Sequence, residues 1–277
     1  MNHLVVGSSS QLSRYFPDTY HRISSRNIDL NWVRSQQWDS VYICYAEQRT
    51  YIANGNDQDV RDLFWKTNYD SVLSLIDVLV PITRKIVYYS TAELWNQLNG
   101  PIDVSTPFQY HPNHYTDSKR AISDVLKNKD SYPNVSIAYP FNFNSVHRGG
   151  EYLFGKVFRS IVNKQHISVG DLNYYRELLH PSMLSTVSIA HDKLGTDFVI
   201  GTGRLVYVQD FIRNLYSHFN LDYCRMVSSD ESKESIYRTH LFYAAKPCID
   251  FSESALFDLT VCELSSMIKD LHHEQPN

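Results

Sequence analysis

The feature that most constrains this chain is an alternation of short apolar runs with segments of helical period. HLVVG, from His3, reads as a buried strand; QLSRYF as a short helix; YHRIS as a second strand; and DSVYICYA as a third. Between Val60 and Val80 the apolar residues of VRDLFWKTNYDSVLSLIDVLV recur every three or four positions, as on an amphipathic helix. RKIVYYS is then a strand, SKRAISDVLK a helix and NVSIAYPF another strand. Strands separated by helices imply right-handed crossovers and a parallel sheet covered on both faces, whose ligands bind beyond the carboxyl ends of the strands. The expected fold is therefore α/β, a Rossmann-like doubly wound parallel sheet with a smaller C-terminal α/β lobe for substrate. Residues 1–145 are assigned to the first part and 146–277 to the second, with the cleft between them.

The rhythm changes after about Asn144. GEYLFGKVFRSIVNK reads as a helix, DFVIGTG as a strand and VQDFIRNLYSHF as a helix, with longer polar stretches between. SSDESKES, near Ser228, is expected to be a mobile loop, and HHEQPN a frayed tail.

Composition narrows the function classes. With 277 residues, 43% hydrophobic and 20% charged, the chain can bury one substantial core or a large and a small one. Its formal charge of -4 gives no basic footprint for nucleic acid. Cys44, Cys224, Cys248 and Cys262 are scattered, without metal-ligand or disulfide spacing, so no metal is expected and a reducing cytoplasm fits best. No apolar run reaches the length of a membrane span, and a strand starting at His3 leaves no room for a signal peptide.

Three places carry chemistry. In LVVGSSSQLSRYF, Gly7 ends a strand and small residues lead into a helix, a setting in which backbone N–H groups can hold a pyrophosphate; a strand-to-helix turn without a ligand reads equally well. Ser10 and Ser13 stand where later glycines of such a loop would fall, and a positive φ at Ser10 would carry strain. At the end of the second strand, Ser24, Ser25 and Arg26 suit a 2′-phosphate, where an acidic residue would prefer a free ribose. This favours NADP, with NAD as the alternative; a solvated polar turn is the bland reading. Finally, YSTAELW follows the RKIVYY run, and Tyr115 and Lys119 lie four apart further on. On a helix the two share a face, and an ammonium near a phenol favours the phenolate, so that Tyr115 can act as a base near neutral pH. Thr91 and Glu93 fall at the carboxyl end of a strand, where a nicotinamide should sit. Taken alone, a YxxxK is more often a surface helix.

With STAELW, STPFQYHPNHYTDSK, FNFNSVHRGGEYLFGKVFRSIV, VGDLNYYRELLHPSML and DFVIGTGRLVYVQDF in view, the chain resembles the extended short-chain dehydrogenases/reductases of the epimerase/dehydratase type. Within that family it is most similar to the GDP-mannose 4,6-dehydratases, over most of residues 1–216. It departs from them at Ser10 and Ser13, in a shortened first helix, at Ala92, at Tyr139 where the family often has Arg, and in a compressed C-terminal lobe.

The resemblance implies a redox-neutral cycle on a nucleotide-linked hexose. Tyr115 would take the O4 proton, Lys119 would hold the nicotinamide ribose, Thr91 would hydrogen-bond the C4 oxygen, and Glu93 would take the C5 proton and help expel the C6 hydroxyl. It also implies cofactor contacts from Gly7, Ser9, Ser10, Gln11, Leu12, Ser24, Ser25, Arg26, Tyr45, Ala46, Asn68, Tyr115 and Lys119. Asn142, Arg148 and Arg176 resemble residues that hold the nucleotide diphosphate. Relatives pair through two helices, which implies a homodimer. A 4-keto reductase or epimerase is the second expectation, because the same Tyr/Lys pair would serve it. A non-catalytic nucleotide-binding protein is the third, suggested by the missing glycines.

Overall fold

Six parallel strands form the sheet that dominates the structure, a computed structural model describing residues 1–273 except Asn56, Glu231, Lys233, Glu234, 248–251 and Glu253. The chain divides into two compact units. The larger comprises Met1–Gln97, Ile102–Phe141 and Ser182–Ile200; the smaller comprises Leu98–Pro101, Asn142–Pro181 and the chain from Gly201 onward.

In the larger unit the strands are β1 (His3–Val6), β2 (His21–Ile23), β3 (Trp38–Ile43), β4 (Thr83–Tyr89), the strand Val135–Pro140 and the strand Phe198–Ile200. Phe198–Ile200 lies at one edge and β2 at the other, in the order Phe198–Ile200, Val135–Pro140, β4, β3, β1, β2. Every pairing is parallel. The inner strands are buried except near their amino ends, at His3, Asp39 and Arg84, with Leu4, Val5, Val6, Val41, Ile43, Ile86, Val87, Val135 and Ile137 in the core. Burial on both faces explains why they read as continuous apolar runs rather than as an alternation. The strand DFVIGTG, expected in the C-terminal part, supplies Phe198–Ile200 to this sheet.

The sheet ends at β2. A six-stranded dinucleotide fold places a further strand outside its second. Here the segment from Ser24 to Gln37 holds only the five-residue helix α1 (Leu30–Arg34), too little chain for a crossover and another strand. The reversal of strand order, where a ligand crevice opens at the carboxyl ends, thus falls between β1 and β3.

The helical period over 60–80 is real but interrupted. α2 (Gln58–Trp65) and α3 (Ser71–Leu79) are joined by a π-helical turn over Lys66–Asp70. The extra residue per turn rotates Asn68 fully inward. α3 buries Val72, Leu75, Ile76, Val78 and Leu79, the apolar positions of the pattern. α4 (His114–Leu126) is the helix expected over SKRAISDVLK, begun earlier by a capping box at Asn113. On the other side, Lys85 of β4 donates from Nζ to the carbonyls of Ser188 (2.7 Å) and Ile189 (3.2 Å), closing the C-terminal end of the helix Pro181–Ala190.

The smaller unit packs the helices Leu153–Asn163, Val208–His218 and Ala255–His273 around Phe154, Val157, Phe158, Ile161, Leu172, Ile212, Leu215 and Leu264. Short strand pairs fill the remainder: Asn142–Phe143 with Leu178–Leu179, Tyr175–Arg176 with Val206–Tyr207, and Ile167–Val169 with Val227–Ser229. Ser228, expected in a loop, is therefore in a strand; Glu231, Lys233 and Glu234 of that segment, residues 274–277 of the expected tail, and Cys248 lie outside the described residues. Among the described residues no helix is long and apolar enough to cross a membrane, and no cluster of His, Cys, Asp or Glu could hold a metal ion.

Candidate active site

At the end of β1 the chain turns at Gly7, whose φ of +103 is open to glycine and strained for other residues. A Cβ there would stand 2.9 Å from Cβ of Tyr45, the second residue after β3, so backbone meets backbone across the switch point. The loop then closes on itself. The N–H groups of Gly7 and Ser8 both donate to Ile23 O, and that of Ser10 donates to Gly7 O. Ser10 Oγ accepts from Leu12 N, and the buried Ser13 hydroxyl lies against the carbonyls of Ser8 (3.0 Å) and Ser10 (2.7 Å). Ser13 thus ties the turn from within, and Ser10 does so without adopting the positive φ that would strain it. The following helix is only a four-residue 3-10 segment, Leu12–Tyr15. Ser8 and Ser9 are exposed, Gln11 is half-buried and Leu12 is core. Gly7→Ala should cost at least about 1 kcal/mol of stability from backbone strain alone, more with the Tyr45 contact, read as a fall in the denaturation midpoint.

Beyond β2, Ser24 Oγ accepts from Arg26 N at 3.2 Å, forming a small hydroxyl turn that leaves the Arg26 side chain exposed. Arg22 is committed elsewhere, donating to the carbonyls of Ser13 and Phe16. Tyr45 is buried, with its hydroxyl 3.1 Å from Ser71 Oγ, and burial pushes its phenol up to about 12. Ala46 beside it is half-buried. Asn68, inside the π turn, accepts from Glu47 N (2.7 Å) and donates to Glu47 O (3.1 Å) and Ser118 Oγ (3.1 Å). Its amide therefore clamps the segment after β3 to α4, shaping the crevice through its neighbours.

Thr91 and Glu93 follow the end of β4, and Tyr115 and Lys119 lie on α4. Thr91 caps the short 3-10 helix Ala92–Trp95, its Oγ1 accepting from Glu93 N at 3.2 Å. Ala92, Leu94 and Trp95 are buried, leaving Glu93 the one partly exposed side chain of that helix. Glu93 Oε2 accepts from Asn96 Nδ2 at 3.2 Å. On α4, Tyr115 lies in the first turn, its N–H held by Asn113 Oδ1 at 2.9 Å and its ring packed near Ala53 and Phe64. The positive end of a 13-residue helix favours negative charge there.

One turn on, Lys119 is 1% exposed and reaches β4: Nζ donates to Tyr88 Oη (3.1 Å) and to Tyr89 O (2.8 Å). Burial pushes its ammonium down to about 7. Ser90 and Ser123 hydroxyls, 2.8 Å apart, make a second stitch between the same elements. The Tyr115/Lys119 helix is thereby fastened to the chain immediately before Thr91 and Glu93.

The smaller unit holds the other three candidates. Asn142 pairs with Leu178, and its Oδ1 accepts from Asn144 Nδ2. The guanidinium of Arg148 lies 3.7 Å from the Tyr152 ring centroid, and that of the buried Arg176 lies 3.6 Å from the Tyr237 centroid. Sequence reasoning missed two buried carboxylates of this unit. Asp171 receives a two-pronged bond from Arg238 (2.7 and 2.8 Å) and the N–H groups of Ser235 and Asn173, which hold its carboxyl down to about 2. Glu177, fully buried, accepts from the N–H groups of Thr202, Gly203 (2.9 Å) and Ala244 (2.8 Å), while burial pushes its carboxyl up. Asp171 and Arg238 are 67 residues apart, a separation no local pattern announces. Asn113 was legible, as an Asn three residues before Thr116.

No family model and no curated protein sequence matches the chain. Solved structures do. RMD from Pseudomonas aeruginosa, complexed with NADPH, superposes with a TM-score of 0.73 at 15% identity over 98% of this chain and 100% of that one. A double mutant of DesIV, the dTDP-glucose 4,6-dehydratase of Streptomyces venezuelae, with NAD bound, gives 0.73 at 16% identity over 96% and 97%. The UDP-glucose 4-epimerase of Thermotoga maritima, with UDP-glucose, gives 0.73 at 14% identity over 97% and 100%. At these identities the likeness establishes the Rossmann-like fold across the chain.

Proposed function

We propose that the protein is a nicotinamide-dependent enzyme acting on a nucleotide sugar, of the epimerase/dehydratase type of short-chain dehydrogenases/reductases, and that its reaction is the 4,6-dehydration of a GDP-mannose-like nucleotide diphosphate hexose. The observation that carries this reading is the bond from Lys119 Nζ to Tyr89 O, which joins the Tyr115/Lys119 pair to the strand end bearing Thr91 and Glu93. The likeness in fold to proteins described as holding NADPH, NAD and UDP-glucose supports it.

The residues fit a dinucleotide. Gly7 turns the chain sharply at the carboxyl end of β1, Arg26 is exposed at the end of β2, and Lys119 lies beside the end of β4. Such a cofactor, when bound, accepts and returns a hydride. Tyr115 takes the O4 proton of the sugar as C4 is oxidised, and Lys119, while charged, stabilises the phenolate and holds the ribose. Thr91 hydrogen-bonds the C4 oxygen. The resulting ketone acidifies C5–H; Glu93 takes that proton and delivers it to the departing O6, so water leaves. Glu93 then takes up a solvent proton and returns it to C5 as C6 is reduced, and Tyr115 releases the O4 proton to solvent. In the smaller unit Asn142, Arg148 and Arg176 bind the diphosphate. The cofactor is NADP: Arg26→Ala should narrow its advantage over NAD by roughly 1.5–3 kcal/mol, read by titration. The reading includes a cytoplasmic homodimer joined through α3 and α4, for which light scattering at micromolar concentration should give twice the chain mass.

A 4-keto reductase or epimerase is the second reading. The Gly7 turn favours the reductase, because the N–H groups of Gly7, Ser8, Ser10 and Leu12 already bond within the protein, leaving fewer donors for a permanently held pyrophosphate. Incubation with a panel of nucleotide sugars, with products read by mass and by proton NMR for the C4 configuration, tests both. A product lighter by one water supports the dehydratase. A substrate gaining two hydrogens at the expense of NADPH, or changing only its C4 configuration, supports the second reading. No product from any sugar overturns both.

A further inference from the structure

Lys119 is the chemically unusual group of this site. It is a cation on the inner face of α4, and burial pushes its ammonium down. An ammonium has three protons to place, and in a buried position each needs an acceptor. The carbonyl of Tyr89 takes one and the phenolic oxygen of Tyr88 takes another. The Tyr88 ring adds its face, with Nζ 4.7 Å from the centroid. Tyr88 is itself 0% exposed, so neither partner of this bond has water as a substitute.

We infer that Tyr88 is a positioning residue for Lys119, its phenolic oxygen fixing the ammonium at the end of β4 and keeping it charged at neutral pH. The idea deepens the proposed function, on which its catalytic consequence rests. Tyr88 suits this role because its own phenol stays protonated. Burial pushes it well up, and the other titratable groups facing it are also phenols: Tyr115 on α4, Tyr45 after β3 and Tyr139 on the strand Val135–Pro140. A neutral O–H oxygen stabilises the charged lysine through a hydrogen bond without forming an ion pair that would hold it too tightly to release toward a ribose. The hydroxyl of the neighbouring Tyr89 turns away, donating to Ser188 Oγ at 2.6 Å, and provides an internal control.

The test follows the lysine directly. In protein labelled with 13C at lysine Cε and free of added cofactor, the Lys119 resonance is identified by its loss in Lys119→Met, and its chemical shift is followed with pH. Tyr88→Phe keeps the ring and removes one acceptor of the charged form. Its Lys119 midpoint should fall by about one to two pH units, the worth of one charge-assisted hydrogen bond. Tyr89→Phe should leave the midpoint in place. The alkaline limb of the turnover profile should move down by the same interval in Tyr88→Phe. An unchanged midpoint in Tyr88→Phe, or an equal fall in Tyr89→Phe, overturns the inference. If the wild-type protein turns over no nucleotide sugar but the midpoint falls in Tyr88→Phe alone, the positioning role stands and the proposed function fails; if turnover is present and the midpoint does not move, the reverse holds.

Discussion

Glu93→Gln should oxidise its sugar at C4 and then stop. The amide keeps the shape and half-buried position of Glu93 in the 3-10 helix after β4, and it leaves Thr91, Tyr115 and Lys119 untouched. It has no basic site for the C5 proton. The expected result is accumulation of reduced nicotinamide in a single turnover, with C5 exchange in deuterated water slow or absent and no water lost. Tyr115→Phe should fail one step earlier, because nothing then takes the O4 proton; the loss commonly reaches about 10² or more in rate for a positioned acid/base. Removal of the hydroxyl leaves the cap from Asn113 and the packing near Phe64 intact, so the defect should be chemical. Full turnover in Glu93→Gln beside a dead Tyr115→Phe would transfer the account to the reductase or epimerase reading.

Lys119→Met should abolish turnover and raise stability. The lysine is buried against neutral partners, and its folded-state value near 7 lies below the roughly 10.4 of an unfolded lysine. For a base depressed on folding, the unfolded chain binds the extra proton between those two values, so wild-type stability rises with pH through that window. Below about 7 both states are charged, and the full cost of the buried charge is present. Replacement by an apolar side chain of similar length should therefore stabilise the protein by about 1–4 kcal/mol near pH 6, with the difference shrinking toward pH 10. Lys85, which burial pushes down to about 8, titrates in both proteins and cancels from the comparison. Thermal denaturation of the pair at the two pH values checks this; a variant less stable at pH 6, or a gap independent of pH, would show that hydrogen bonding outweighs the charge.

Much of the larger unit was legible because inner strands of a parallel sheet write themselves as near-continuous apolar runs, as LVV, VYI, IVYY and VSIAY do here. The placement of Thr91 and Glu93 just after β4, and of Tyr115 and Lys119 on α4, was legible for a related reason: they stand at fixed offsets from a strand end and along one helix. Two features escaped. The π turn at Lys66–Asp70 escaped because three- and four-residue apolar spacings continue on both sides of it, yet Asn68 within it lies in the core. The sheet's end at β2 followed from chain length between Ile23 and Trp38, a cue about what that segment cannot contain rather than about any residue in it. In the smaller unit the strands are two or three residues long and the buried carboxylates Asp171 and Glu177 find their partners across tens of residues, so neither period nor spacing betrays them.

The central claim is that one sugar ring is oxidised at C4 and reduced at C6 by the same enzyme, with Tyr115 and Glu93 handling the protons. Conversion of a nucleotide diphosphate hexose carrying deuterium at C4, followed by location of the label in the product, tests it most directly. The account requires the deuterium at C6 of a 4-keto-6-deoxy sugar, without consumption of added NADPH. Deuterium returned to C4, or a label that never leaves it, would contradict the account.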